Sequence, residues 1–187
     1  MLDAFTDEKF VWYLMRGTGI TLMILLTAST AMGVFSTARA GNRVWPRFAT
    51  QALHRNVSLI SVALLVAHCI TAVVHSFVDV RWFDVFVPFI GPYEPLWIGL
   101  GSVATDAILV VVITSLVRER LDHRRWRIVH LSSYAAWGLG VLHGIGIGSD
   151  AKSTAWGLGS TVVCIGVVAA SVVVRFATLS NERKYAA

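Results

Sequence analysis

Charge is scarce in this 187-residue chain. Asp, Glu, Lys and Arg make up 14% of it, against 56% hydrophobic residues and a mean hydropathy of +0.67. That balance excludes an ordinary soluble domain. Cysteine is scarcer still: Cys69 and Cys164 are the only two, and both lie inside apolar stretches. They cannot staple an extracellular fold and read as small packing residues. There is no internal repeat, low-complexity tract or glycine-rich nucleotide loop, and no room for a flavin or nicotinamide domain. A secretory signal is not expected either. The first apolar stretch follows Asp3, Asp7 and Glu8, is too long for a signal segment and has no obvious cleavage site.

What the chain does have is length in its apolar runs. Five stretches, at about 10–35, 50–78, 96–117, 126–147 and 154–176, reach the roughly 20 residues needed to cross a bilayer. The expectation is an all-α integral membrane protein, one domain over residues 1–187 with five transmembrane helices. Basic residues orient it. Arg39, Arg43 and Arg47 follow the first stretch, Arg118, Arg120, Arg124, Arg125 and Arg127 follow the third, and Arg183 and Lys184 follow the fifth. The alternate connections hold Arg81 and Lys152 beside Asp79, Asp84, Glu94 and Asp150. The N-terminus is therefore expected outside and the C-terminus in the cytoplasm. The net charge of +5 is spread over short connections, which offers no surface to a nucleic acid. Trp12, Trp45, Trp82, Trp97, Trp126 and Trp156 fall near the expected span ends, where an amphipathic ring prefers to lie.

Inside the second stretch His54 and His68 are 14 residues apart, and inside the fourth His130 and His143 are 13 apart. On a helix these separations rise roughly 21 Å and roughly 19.5 Å. Both stretches start on the inner side, so His54 matches His130 in depth and His68 matches His143. Polar residues in hydrocarbon are costly and usually functional. Zinc would gather three or four ligands at one point, whereas two separated pairs suit two b-type haems stacked through the bilayer, each clamped by imidazoles. Helical angle fits less evenly. The first pair leaves about 40° between its members and the second about 140°. A π-bulge near Gly138, Gly140 and Gly144 would relieve that, as would haems approaching the helix from different sides.

The segments Trp126-Arg-x-x-His130-x-x-x-Tyr134, His143-Gly-x-Gly-x-Gly-Ser-Asp150, Leu53-His-Arg-Asn-x-Ser58 and Arg16-Gly-x-Gly19 together resemble the ferric-reductase-like transmembrane domain. That superfamily includes the membrane cores of NADPH oxidases, metalloreductases and the haem subunit of periplasmic methionine sulfoxide reductase. The chain is most similar in outline to the stand-alone members of actinobacteria. The resemblance implies an inner haem on His54 and His130 and an outer haem on His68 and His143. Unlike the oxidases, the sequence shows no sixth span and no flavin or NADPH domain after its fifth, so a separate electron donor is implied.

Other residues extend this picture. Arg55 and Arg127 are candidates for inner haem propionates, or ordinary cytoplasmic anchors. Arg16 is a candidate for an outer propionate, with snorkelling to the interface as its rival. Tyr134 either hydrogen-bonds near the inner haem or packs. Trp137 lies between the two levels, on the electron route or in the packing. His75, about 31 Å above His54, is too far out to replace His68. It is expected at the outer surface, either interfacial or beside a quinone, metal or electron acceptor. Asp106, mid-span, is expected to be protonated, paired or water-facing, as a proton relay, a quinol contact or a structural hydrogen bond. Asp150 either caps a turn or helps dock a partner.

The expected function is a multi-pass di-haem b-type cytochrome of the bacterial cytoplasmic membrane. It would pass electrons from a cytoplasmic flavoprotein or membrane quinol to an extracytoplasmic redox protein, which by the resemblance can carry flavin. The alternatives are a single-haem subunit of a periplasmic reductase and, less favoured, a histidine-lined metal transporter or channel subunit.

Overall fold

The computed structural model describes residues 8–37 and 47–185, and all regular structure among them is helical. The long helices are α1 (Glu8–Thr37), α2 (Arg47–Val74), α3 (Pro95–Leu116), α4 (His123–Ile147) and α6 (Ala155–Tyr185), with a short α5 (Ser149–Ser153) at the corner before the last. Arg39, Arg43 and Trp45 lie outside the described residues, as do Asp3 and Asp7.

Local chemistry sets the helix starts. Pro95 opens α3, where its missing N–H has no intrahelical partner to lose. Asp122 caps α4 by accepting from the Arg124 and Arg125 backbone N–H groups at 3.1 Å, which relieves two of the orphan donors of a helix start. Thr154 accepts from the Gly157 N–H at 3.1 Å at the head of α6.

Four helices are long and apolar enough to cross a membrane: Glu8–Val34, Phe48–Val74, Pro95–Leu116 and Ala155–Ala177. The fourth expected span, 126–147, corresponds to α4. It is long enough, but its histidines, serines, glycines and leading arginines dilute its apolar content. The second helix ends at Val74, four residues earlier than expected, because the chain turns at once into the compact connection described next.

Exposure is inverted relative to a soluble bundle. Large apolar side chains such as Ile60, Val66, Ile113 and Val163 face outward, each more than half exposed. Small polar ones (Thr27, Ser29, Ser61, Ser102, Ser171) are buried between helices. With lipid tails as solvent, apolar side chains gain nothing by burial, and small residues let helices approach closely. α1 packs chiefly on α2, α3 chiefly on α4, and α1 also touches α4 and α6.

The connection from 75 to 94 folds down over one end of α3. Asp84, 1% exposed, receives the Arg81 backbone N–H at 2.9 Å and the Arg81 guanidinium at 3.0 and 2.9 Å. Ser102 on α3 donates to the Asp84 carbonyl at 2.6 Å. The hydrogen bonds from Arg81 hold the Asp84 carboxyl below its ordinary value, against an opposing effect of burial. Phe89 adopts a positive φ of 68° and lies directly over Gly99, which has no room for a Cβ.

Candidate functional site: two facing histidine pairs

Helices α1 and α2 run antiparallel, as do α3 and α4, and the histidines lie where the two hairpins meet. His54 on α2 faces His130 on α4, with ring centres 6.2 Å apart and planes at 68°. His68 faces His143, with centres 6.4 Å apart and planes at 85°. The hydrogen-bonded ladder of α4 is continuous from His123 to Ile147 with no π turn. A π-bulge therefore does not reconcile the 13-residue spacing with the facing.

Each ring is engaged at Nδ1. That of His68 lies 3.0 Å from the Met15 carbonyl, that of His143 2.8 Å from the Trp97 carbonyl, and that of His54 3.0 Å from the Ser29 carbonyl. The Ser29 hydroxyl is also 3.2 Å from His54 and 2.7 Å from the Ser58 hydroxyl. His130 has the Ser115 hydroxyl at 3.4 Å, and the Trp126 ring stacks on it at 5.0 Å between centres. A carbonyl can only accept, so it fixes the proton on Nδ1 and leaves the Nε2 lone pair for a ligand.

Two glycines make room for these rings. A Cβ on Gly19 would stand 2.9 Å from His68 Cε1, and one on Gly101 would stand 2.7 Å from His143 Nδ1. Sequence reasoning noticed Gly19 for close approach but passed over Gly101, Ser29 and Ser115. A signal was present: Gly19 and Gly33 on α1 repeat the 14-residue interval of His54 and His68 on α2. A cavity of about 380 Å³ opens beside the His68–His143 pair, bordered by Arg16, Gly19, Gly101 and Asp150.

The supporting residues are distributed unevenly. Arg16 does not stand free for an anionic ligand. Its Nε donates to Asp150 Oδ2 at 2.7 Å, its Nη2 pairs with Oδ1, and its guanidinium lies 4.0 Å over the Trp12 ring. Asp150 is thus neither an exposed docking residue nor a simple turn cap, since it ties α5 to α1. His75, expected at the surface, is instead 4% exposed. Its Nε2 is 3.1 Å from Met15 Sδ and its Nδ1 is buried with no hydrogen-bond partner. The early end of α2 explains the difference, because His75 turns inward beneath the 75–94 connection. Trp137 donates to Thr27 Oγ1 at 2.9 Å, joining α4 to α1. Tyr134 and Asp106 are half-buried and take no part in the hydrogen bonds around either pair, and Arg55 and Arg127 are exposed. Among the described residues there is no cluster of three or more His, Cys, Asp or Glu able to hold a metal ion.

No curated protein and no solved structure matches the chain. The family model described as the ferric reductase like transmembrane component matches residues 17–141, a segment that contains His54, His68 and His130. A match over that much of the sequence, on an all-helical chain with four membrane-length apolar helices, places the protein in the ferric reductase-like transmembrane component family.

Proposed function

We propose that the protein is a transmembrane electron carrier holding two b-type haems, one between His54 and His130 and one between His68 and His143. The observation that carries this reading is the separation of the facing rings. With metal–imidazole bonds of about 2 Å each, two imidazoles that would hold one metal ion between them would have ring centres about 6 Å apart. The two pairs stand at 6.2 and 6.4 Å. The Nδ1 partners support the same reading by leaving Nε2 as the ligating atom, as does the cavity beside His68 and His143.

Haem, when bound, supplies reversible one-electron chemistry. The chain's own residues hold the four imidazoles in orientation and tautomer, and keep water from the sites with the apolar walls of α1–α4. A haem held by two of these imidazoles would favour outer-sphere electron transfer over binding oxygen at iron. In this reading all five long helices span the bacterial cytoplasmic membrane, including α4, with the arginine-rich α3–α4 connection inside. The donor is a cytoplasmic flavoprotein or membrane quinol. The acceptor is an extracytoplasmic redox protein, a flavin carrier being one candidate.

The test is a pyridine haemochrome assay with reduced-minus-oxidised spectra on purified protein. Two b-haems per chain are expected. One would reduce a histidine pair to a structural role, and none from haem-replete cells would overturn the proposal. A reporter fused after Ala187 is expected to be active only in the cytoplasm.

A further inference from the structure

Three of the four imidazoles are seated by a single device. The Nδ1 acceptor is the carbonyl of residue i on the neighbouring helix, and residue i+4 is glycine. The pairs are Met15 with Gly19 for His68, Ser29 with Gly33 for His54, and Trp97 with Gly101 for His143. Helix geometry explains the glycine. A Cβ leans toward the helix N-terminus, so the side chain at i+4 covers the carbonyl at i. Without that side chain the carbonyl, already accepting its backbone N–H, offers its second lone pair to the imidazole.

The fourth seat departs from this pattern. Fourteen residues beyond Trp97 and Gly101 on α3 come Val111 and Ser115. Ser115 occupies the glycine position, and the Val111 carbonyl is already engaged by the Thr114 hydroxyl at 3.1 Å. The His130 Nδ1 meets the Ser115 hydroxyl instead, at 3.4 Å. That same hydroxyl already accepts from Trp126 Nε1 at 3.4 Å, and the indole is stacked on the His130 ring.

We propose that Ser115 is a positioning residue that makes His130 the least electron-donating of the four axial imidazoles, raising the potential of the haem it holds above the value a carbonyl seat would set. This rests on the two-haem reading. An Nδ1–H donated to a carbonyl makes the ring a stronger electron donor at Nε2, which stabilises the ferric state. A hydroxyl that is farther away and already engaged by an indole polarises the ring less. It can also donate as well as accept, so it does not fix the tautomer alone.

The experiment is a potentiometric titration of the full haem-loaded chain and of three variants: Ser115→Gly together with Thr114→Val, Ser115→Ala alone, and Ser115→Thr alone. Ser115→Gly with Thr114→Val frees the Val111 carbonyl of the Thr114 hydroxyl and is expected to lower the potential of the His130-bound haem. Ser115→Ala removes the acceptor and is expected to raise it, and Ser115→Thr should keep the parent value. The His68–His143 haem should stay unmoved in all three. Unchanged potentials in both the glycine and alanine variants, or shifts of the same sign, would overturn the assignment while leaving the two-haem reading intact. Fewer than two haems in the parent chain would instead refute the reading beneath it.

Discussion

The two histidine pairs have the same facing geometry but are held by different means. The His68–His143 pair rests on backbone: both Nδ1 atoms meet carbonyls, and both rings press on glycines. Nearby, the Arg16–Asp150 ion pair and the folded 75–94 connection close that end. The His54–His130 pair is mixed: His54 meets the Ser29 carbonyl with the Ser29 and Ser58 hydroxyls beside it, whereas His130 meets the Ser115 hydroxyl, itself bonded by Trp126. Backbone acceptors are built into the helix and cannot be rotated away, whereas hydroxyls can turn and exchange roles. One end is seated on backbone throughout, the other on backbone for His54 and on a hydroxyl for His130.

The sharpest break in that comparison comes from the ligands themselves. His68→Ala and His143→Ala should each abolish one and the same haem component, and His54→Ala and His130→Ala the other. Loss of different components within a pair, seen in reduced-minus-oxidised spectra, would undo the pairing.

Next come the glycines, which ought to separate the two ends. Gly101→Ala and Gly19→Ala put a Cβ 2.7 and 2.9 Å from imidazole atoms, too close to accommodate without moving a pinned ring. Both should cut occupancy of the His68–His143 haem several-fold. Gly33→Ala has its nearest such atom at 3.7 Å and should leave the other haem in place. Equal sensitivity of all three glycines would show that the seats do not differ in tightness.

Arg16→Ala should lower stability by about 3 kcal/mol, because it leaves the largely buried Asp150 carboxylate without its partner. Thermal unfolding in detergent reads this, and Arg16→Lys should recover only part of it, losing the two-point contact.

The smallest effect concerns pH. Asp84 titrates below its ordinary value when folded, so its pairing with Arg81 contributes fully above the unfolded carboxylate value. That contribution is lost as pH falls through the lowered folded value. Melting temperature should therefore drop at acid pH, and Asp84→Asn should flatten that part of the profile.

Much of this architecture was readable in advance because membranes impose length and periodicity. The five long helices follow the five apolar stretches, and the histidine spacings already implied two matched levels. The ends of helices were less legible, since α2 stops at Val74 for reasons that lie in the Arg81–Asp84–Ser102 contacts rather than in hydropathy. Long-range pairing was legible least. Arg16 and Asp150 are 134 residues apart, and nothing in the neighbourhood of either names the other. His75 looked superficial because a helix continued to Val78 would have carried it outward. The glycine and serine seats were hidden in plain composition, since a single glycine in a span is unremarkable until its interval is matched to that of the histidines opposite.

Each of the four facing imidazoles and its Nδ1 partner belong to the same helical hairpin, at sequence separations of 15, 25, 46 and 53 residues. The α1–α2 hairpin holds one complete half of each clamp and the α3–α4 hairpin holds the other. Ring orientation is therefore set by contacts internal to each hairpin, without help from its counterpart. During biogenesis, each hairpin can enter the bilayer with its ligands already aimed, leaving only the docking of two finished halves.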